Sequence, residues 1–311
     1  MLVTLMVTIK EIKHVKLASF VLMTASINVI LAFIAAIVLL IIFGLVSAFA
    51  PQNLVIGRYI VSLGVGLIFI LPISAFFITI AGNFFYVLLY NSLVPRLGGI
   101  KLGLEGDEVT EIPVISFALI LSSIGAIMAL IIGIFIAALI LPLLSILSGS
   151  IPALSQAFAN ATNATLPTGA ALGVAGVIIA ILLIIGLPII VFIGGFINNA
   201  LTAIFYNFIA IRVSKIRLEF LTVSGSSNEL KSIPVIPTAL SVAVVFFVFG
   251  FLNGLYSLIT NSVHGMVAAG VGEFIGNILF YFIGYFIFVA LTAIFYNFLA
   301  PKIGGIKLEL K

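Results

Sequence analysis

Six stretches of this sequence, at about 17–48, 59–90, 114–147, 173–208, 235–259 and 270–298, are almost wholly apolar and nearly free of charge. A helix needs about 20 such residues, at about 1.5 Å of rise each, to cross a lipid bilayer. Several of the stretches exceed 30 residues, too short for two crossings and long for one. The sequence therefore predicts tilted or kinked helices, with Pro72 and Pro188 as the kink points. The rest of the chain cannot clothe these stretches in water. Only 7% of its residues are charged and 64% are hydrophobic, whereas a soluble domain is roughly a quarter charged. The expectation is a polytopic α-helical membrane protein with six transmembrane helices.

The basic residues orient it. Lys10, Lys13 and Lys16 precede the first span, and Arg96 and Lys101 follow the second. Arg212, Lys215, Arg217 and Lys231 lie between the fourth and fifth, and Lys302, Lys307 and Lys311 follow the sixth. Only Arg58 falls in a loop on the other side, so twelve of the thirteen basic residues share one face. That face is expected to be the cytosol, giving a multi-pass protein of the cell (plasma) membrane with both termini inside. The same placement beside apolar spans accounts for the net charge of +4 without a nucleic-acid partner. The first apolar stretch is too long for a cleavable signal. Asn160-Ala-Thr and Asn163-Ala-Thr are N-glycosylation acceptors in the third-to-fourth loop, which this topology places outside.

The second strong feature is internal repetition. Residues 90–102 read YNSLVPRLGGIKL, residues 206–218 YNFIAIRVSKIRL and residues 296–308 YNFLAPKIGGIKL. The two later copies also share their preceding span, and the offsets superpose Pro72 on Pro188 and Asn83 on Asn199. Glu111-Ile-Pro-Val-Ile115 repeats as Ser232-Ile-Pro-Val-Ile236, and Glu11-Ile12 begins a divergent version. The chain reads as three copies of a two-span hairpin: 1–104, 105–222 and 223–311. Hairpins that each cross out and back share one orientation, so the copies are expected around a pseudo-threefold axis along the membrane normal.

Tyr90, Tyr206 and Tyr296 fall at the inner interface, where a ring is buried and its hydroxyl stays wet. Asn91, Asn207 and Asn297 are placed to cap the helix ends. Pro95 and Pro301 help terminate the helices, and Gly98-Gly99 and Gly304-Gly305 turn the chain. The second copy has Ser214-Lys215 in place of Gly-Gly, so its turn is expected to differ. After each turn the residues alternate in period two, at 100–104, 216–220 and 306–310, and the N-terminus alternates at 3–9. These four segments are expected to build, wholly or in part, a small cytosolic β-sheet. An open edge of such a sheet would accept a partner strand.

The Tyr-Asn, Gly-Gly-Ile and alternating-tail pattern resembles an uncharacterised prokaryotic two-span membrane domain of actinobacteria and archaea. The likeness covers each repeat from Tyr90, Tyr206 and Tyr296 to the following strand. It implies the hairpin fold and carries no activity, cofactor or partner. Mitochondrial carriers also use three two-span repeats, but their Pro-x-acid-x-x-base motif is missing from the odd-numbered helices here.

Little in the sequence suggests catalysis. There is no cysteine, and the two histidines, His14 and His264, fall on opposite sides of the membrane. No phosphate loop, nucleophile elbow or metal-spaced cluster is present, and no cofactor is expected. Asp107, Glu108 and Glu111 read as a solvated linker face. The spans carry amides rather than charges. Asn83, Asn199 and Asn277 are candidate polar positions, for helix packing or for lining a pore. Gly250-x-x-x-Gly254 and Gly272-x-x-x-Gly276 suggest close helix approach. The expected function is that of a structural or accessory subunit, or scaffold, of a membrane complex, with the lipid bilayer, other subunits or a cytosolic strand as partners. The alternative is a passive channel or carrier for a neutral or apolar solute along the threefold axis.

Overall fold

The computed structural model describes residues 7–49, 64, 66–140, 142–143, 156 and 174–311. Arg58, Asn160 and Asn163 lie outside them. The chain is mostly helical, with a small antiparallel sheet. In order come β1 (Thr8–Val15), α1 (Leu17–Phe49), α2 (Gly66–Leu97), β2 (Lys101–Glu105), β3 (Glu108–Glu111) and α3 (Val114–Phe135). A π-helical turn, Ile136–Ile140, extends α3. Then follow α4 (Val174–Ile181), α5 (Leu187–Phe205), α6 (Ile211–Val213), β4 (Glu219–Ser224), β5 (Ser227–Ser232), α7 (Val235–Val263), α8 (Val267–Ile303) and β6 (Lys307–Leu310).

Six helices are long and apolar enough to cross a membrane, one of them the run Val177–Val213 that includes α5. Two π turns, Leu182–Gly186 and Tyr206–Ala210, interrupt that run. The first directly precedes Pro188. Proline offers no N–H and its ring crowds the carbonyl four residues back, so a widened turn there relieves the conflict. Pro72 lies inside α2. Pro95 and Pro301 each stand in the last turn of a helix, two residues before it ends.

Two units make up the chain. One comprises residues Val114–Leu201, the other Met1–Pro113 with Thr202–Lys311. In the first unit α3 packs on the run that follows α4. A side chain at Gly133 would stand 2.2 Å from the Leu183 carbonyl, and one at Gly195 3.5 Å from Ser122 Cβ. Small residues let these backbones approach where lipid offers no hydrophobic gain for association.

The larger unit holds the α1–α2 and α7–α8 hairpins and the whole sheet. Gly250 and Gly254 fit against α8: a Cβ at Gly250 would lie 2.9 Å from the Asn277 carbonyl, and one at Gly254 2.8 Å from that of Phe274. Gly272 and Gly276 face open space instead, so the second small-residue motif is not a contact. The close approach opposite Gly254 is made by Phe274 backbone. Met23, Ile27, Leu230, Tyr296 and Ala300 form a buried cluster joining α1, β5 and the foot of α8. Away from it the helices carry their apolar side chains outward, Ile78 71% and Phe280 73% exposed.

The sheet has six strands in the order β3-β2-β1-β6-β5-β4, every neighbour antiparallel. Gly106 and Gly225, both at positive φ, turn the β2–β3 and β4–β5 hairpins. The outgoing segments of all three repeats enter the sheet as expected, the second beginning later, at Glu219. The N-terminal strand differs: it runs from Thr8 to Val15 rather than over 3–9, and residues 1–6 lie outside the described ones. Strands β3 and β5 were not expected. They are short and polar, and pairing on both sides holds them extended.

One end strand, β3, also meets residues 216–218, which lead into the other, β4. Glu108 bridges Arg217, Val109 N–H donates to the Ile216 carbonyl at 2.8 Å, and Leu218 N–H donates to that of Asp107 at 2.8 Å. The sheet thus closes on itself at this seam. Beyond the seam β4 has β5 on one side and, among the described residues, no strand on the other.

Candidate functional site

Each repeat enters the sheet on one strand, crosses two helices and returns on another. One set of side chains locks the two ends together, three times over. The Tyr90 hydroxyl donates to the Ile12 carbonyl at 2.7 Å and accepts from Ile100 N–H at 3.1 Å. Tyr206 does the same between Val109, at 2.5 Å, and Ile216, at 3.1 Å. Tyr296 does so between Leu230, at 2.5 Å, and Ile306, at 3.0 Å. All three rings are buried. The hydroxyls are therefore not the wet interfacial groups expected of them. Each fills the gap between two strand ends and satisfies one backbone group on each.

The neighbouring asparagines do not cap their own helices, which corrects a second expectation. Asn91 accepts from Val15 N–H and donates to the Val15 carbonyl, both at 2.9 Å. Asn207 grips Ile112 in the same way, at 2.8 and 2.9 Å, and Asn297 grips Ile233, at 2.8 and 2.8 Å. Ile112 and Ile233 lie where a strand has ended and a helix has not begun, and Val15 is the last residue of β1. On the gripped side the amide supplies both groups that a neighbouring strand would, while Val15 keeps its pairing with Leu308 on the other.

A third member was missed in the sequence. Four residues before each gripped position stands a glutamate, at Glu11, Glu108 and Glu229. Glu11 accepts from Gly99 N–H and Glu229 from Gly305 N–H, each at 2.6 Å. Glu11 is thus the counterpart of Glu108, not of Glu111. The signal was present as EIKHV, EVTEI and ELKSI, a glutamate four residues ahead of a β-branched residue.

Gly98 and Gly304 leave their helices at φ of +81° and +82°, a region open to glycine and costly for other residues. Gly99 and Gly305 then pass so close beneath the incoming strand that a Cβ would stand 2.1 Å from the Ile12 carbonyl or 2.2 Å from that of Leu230. The second repeat does without both glycines. Ser214 is extended, at φ −157°, its hydroxyl donates to the Pro237 carbonyl, and the preceding turn is π-helical. Lys215 therefore points outward and takes Glu108 itself, at 2.8 Å, while Arg217 holds the other oxygen at 2.6 Å.

That change opens a polar cleft of about 460 Å³ at the seam, lined by Glu105, Asp107, Glu108, Lys215, Arg217 and Glu219. Of the acidic run, Glu108 is engaged in ion pairs, whereas Asp107 and Glu111 are exposed. The Lys215 hydrogen bond, with the charges of Lys215 and Arg217, outweighs the upward pull of burial and holds the Glu108 carboxyl below its ordinary 4.5. At Glu11 burial pulls upward most, yet Lys13, the Gly99 N–H and Lys101 together lower it. A depressed carboxyl stabilises the fold fully above its unfolded pKa and loses that contribution as pH falls through the folded value. The midpoint of thermal unfolding in detergent should be flat above about pH 5 and fall below about pH 4.5. Glu108→Gln should flatten the fall; an unchanged slope would remove Glu108 from the account.

Several amides of the spans are engaged between helices. Asn83 donates to Thr24 Oγ1 at 2.7 Å and Asn28 to Thr79 Oγ1 at 3.1 Å, joining α1 and α2. Asn253 donates to Asn277 Oδ1 at 3.1 Å, and Asn277 to the Glu273 carbonyl at 2.8 Å. Asn199 is half-buried on α5, in the other unit from Asn83. Among the described residues no group of three metal-ligating side chains is placed to hold an ion. Comparison with protein-family models, curated proteins and solved structures returns no match.

Proposed function

We propose that this chain is a non-enzymatic, multi-pass protein of the cell membrane that serves as a scaffold or accessory subunit of a membrane complex. In this reading its sheet and both termini lie in the cytosol. The observation that carries it is the free side of β4. From Leu221 to Ser224 the strand has, among the described residues, no neighbour on that side, and all four side chains are exposed, Leu221 at 56% and Val223 at 52%. An apolar strand with an open ladder is a pairing site for another chain, and the acidic cleft beside it favours a partner with basic residues. The span amides support the same reading, since each bond given above is made to a neighbouring helix or turn rather than into a common channel.

Mild detergent extraction from native membranes, followed by native mass measurement, tests this. A stoichiometric partner should co-purify with the wild type and be lost from the double variant Leu221→Lys, Val223→Lys, whose exposed edge is blunted by charge. Recovery of the wild type as a lone monomer, or retention of the partner by the variant, would overturn it.

A further inference from the structure

Arg96, Arg212 and Lys302 occupy one position in the three repeats, each six residues beyond the tyrosine of its clamp. Each stands in the last turn of the helix that returns to the sheet. All three are exposed. The residue after each is an exposed aliphatic: Leu97 at 39%, Val213 at 57% and Ile303 at 40%. One turn further on, the matching cations Lys101, Arg217 and Lys307 sit beside the clamp glutamates, and Arg217 and Lys307 form ion pairs with them. The three helix-foot cations form no ion pair among the described residues. Lys302 instead lies 3.3 Å over the ring of Phe298, one turn back along an exposed face of α8. Its charge is thus drawn toward the apolar span and away from the sheet.

A cation whose stem follows an apolar helix, beside an aliphatic side chain left in the open, suits the boundary between acyl chains and headgroups. The clamp sets the height. Because Tyr and Asn fasten each returning helix to the sheet at equivalent backbone points, the three cations occupy equivalent positions just beyond the clamp.

We propose that Arg96, Arg212 and Lys302 are three copies of one binding site for the phosphate of an anionic lipid headgroup. The inference rests on the membrane reading above. A cation at a helix C-terminus also complements the helix dipole, but that benefit does not depend on the lipid, whereas headgroup binding does.

The test uses the full chain in vesicles of phosphatidylcholine with and without phosphatidylglycerol, and native mass measurement of the lipid retained after extraction. Wild type should float with both vesicles and retain phosphatidylglycerol preferentially. Each Gln substitution at the three positions should weaken that preference by about fivefold, in keeping with a surface lysine or arginine beside an anionic leaflet. The charge-keeping variant Arg96→Lys, Arg212→Lys, Lys302→Arg should retain it, and unfolding in phosphatidylcholine alone should report whether each variant folds. An undiminished preference in a folded triple Gln variant overturns the lipid site and leaves the membrane reading standing. Equal loss of stability by that variant in both lipids assigns the residues to the helix dipole and overturns it too. Displacement of the retained lipid by inorganic phosphate would make this a soluble-anion site. Failure of the wild type to float at all overturns the membrane reading itself.

Discussion

Alanine in place of Gly99 or Gly305 should destabilise the protein by about 3 kcal/mol, the upper part of the range for overpacking. The added methyl would stand 2.1 or 2.2 Å from a strand carbonyl. That carbonyl belongs to the residue held by the clamp tyrosine, so it cannot yield without releasing the hydroxyl as well. Lys215→Ala, at the equivalent position of the second repeat, is the internal control. It shortens a side chain that already points outward and removes a half-exposed ion pair, for a loss of at most about 1 kcal/mol. Monodispersity in detergent after stepwise heating measures both. Equal behaviour of the glycine and lysine variants would mean that the outgoing turns are interchangeable and that the tight crossing is not what holds repeats one and three.

Tyr206→Phe should cost about 2 kcal/mol, and so should the same change at Tyr90 and Tyr296. The ring and its packing stay, while two buried backbone groups, the Val109 carbonyl and the Ile216 N–H, lose their partner. Backbone of this kind has nowhere else to turn beneath a helix foot. Tyr86→Phe is the control, because its hydroxyl makes no hydrogen bond among the described residues, and its removal orphans nothing. Hydrogen exchange localises the effect: Ile216 should lose protection in Tyr206→Phe while the β1–β2 ladder keeps its own. Uniform loss across the sheet would instead mean that the three clamps act as one cooperative body. In that case the triple variant should cost no more than the single ones.

How far the sequence reaches depends on the element. Long apolar helices are written locally, because 20 residues without charge leave no other option. The outgoing strands are also local, since Ile100-Lys-Leu-Gly-Leu104 and its two counterparts alternate in period two. Strands β3 and β5 have no such mark. Glu108-Val-Thr-Glu111 and Ser227 to Ser232 are polar and weak in strand propensity, and they are strands because each lies between two partners. The clamp was half legible. Its tyrosines and asparagines repeat visibly, but their partners on the incoming strand are backbone groups 64 to 97 residues away, and backbone leaves no trace in a pattern of side chains. That is why the sequence suggests a wet hydroxyl where the structure has a buried one, and a helix cap where the amide grips a strand. Repetition points to what matters; it does not say to what each member is bonded.

The middle of the sheet has a consequence for how the chain assembles. Its central pair is β1 with β6, the first and the last of these six strands in the sequence, and Glu11 and Lys311 exchange backbone hydrogen bonds there. A ribosome delivers β1 and then nearly three hundred residues before it delivers β6. Until then β1 can pair with β2 alone, and its other side stays vacant while every helical hairpin is being inserted. Loop closure over such a separation is slow, so the sheet is the last part to be finished and the helices the first. Its completion requires that every intervening helix has been made, so the finished platform exists only on a chain whose helices are already present.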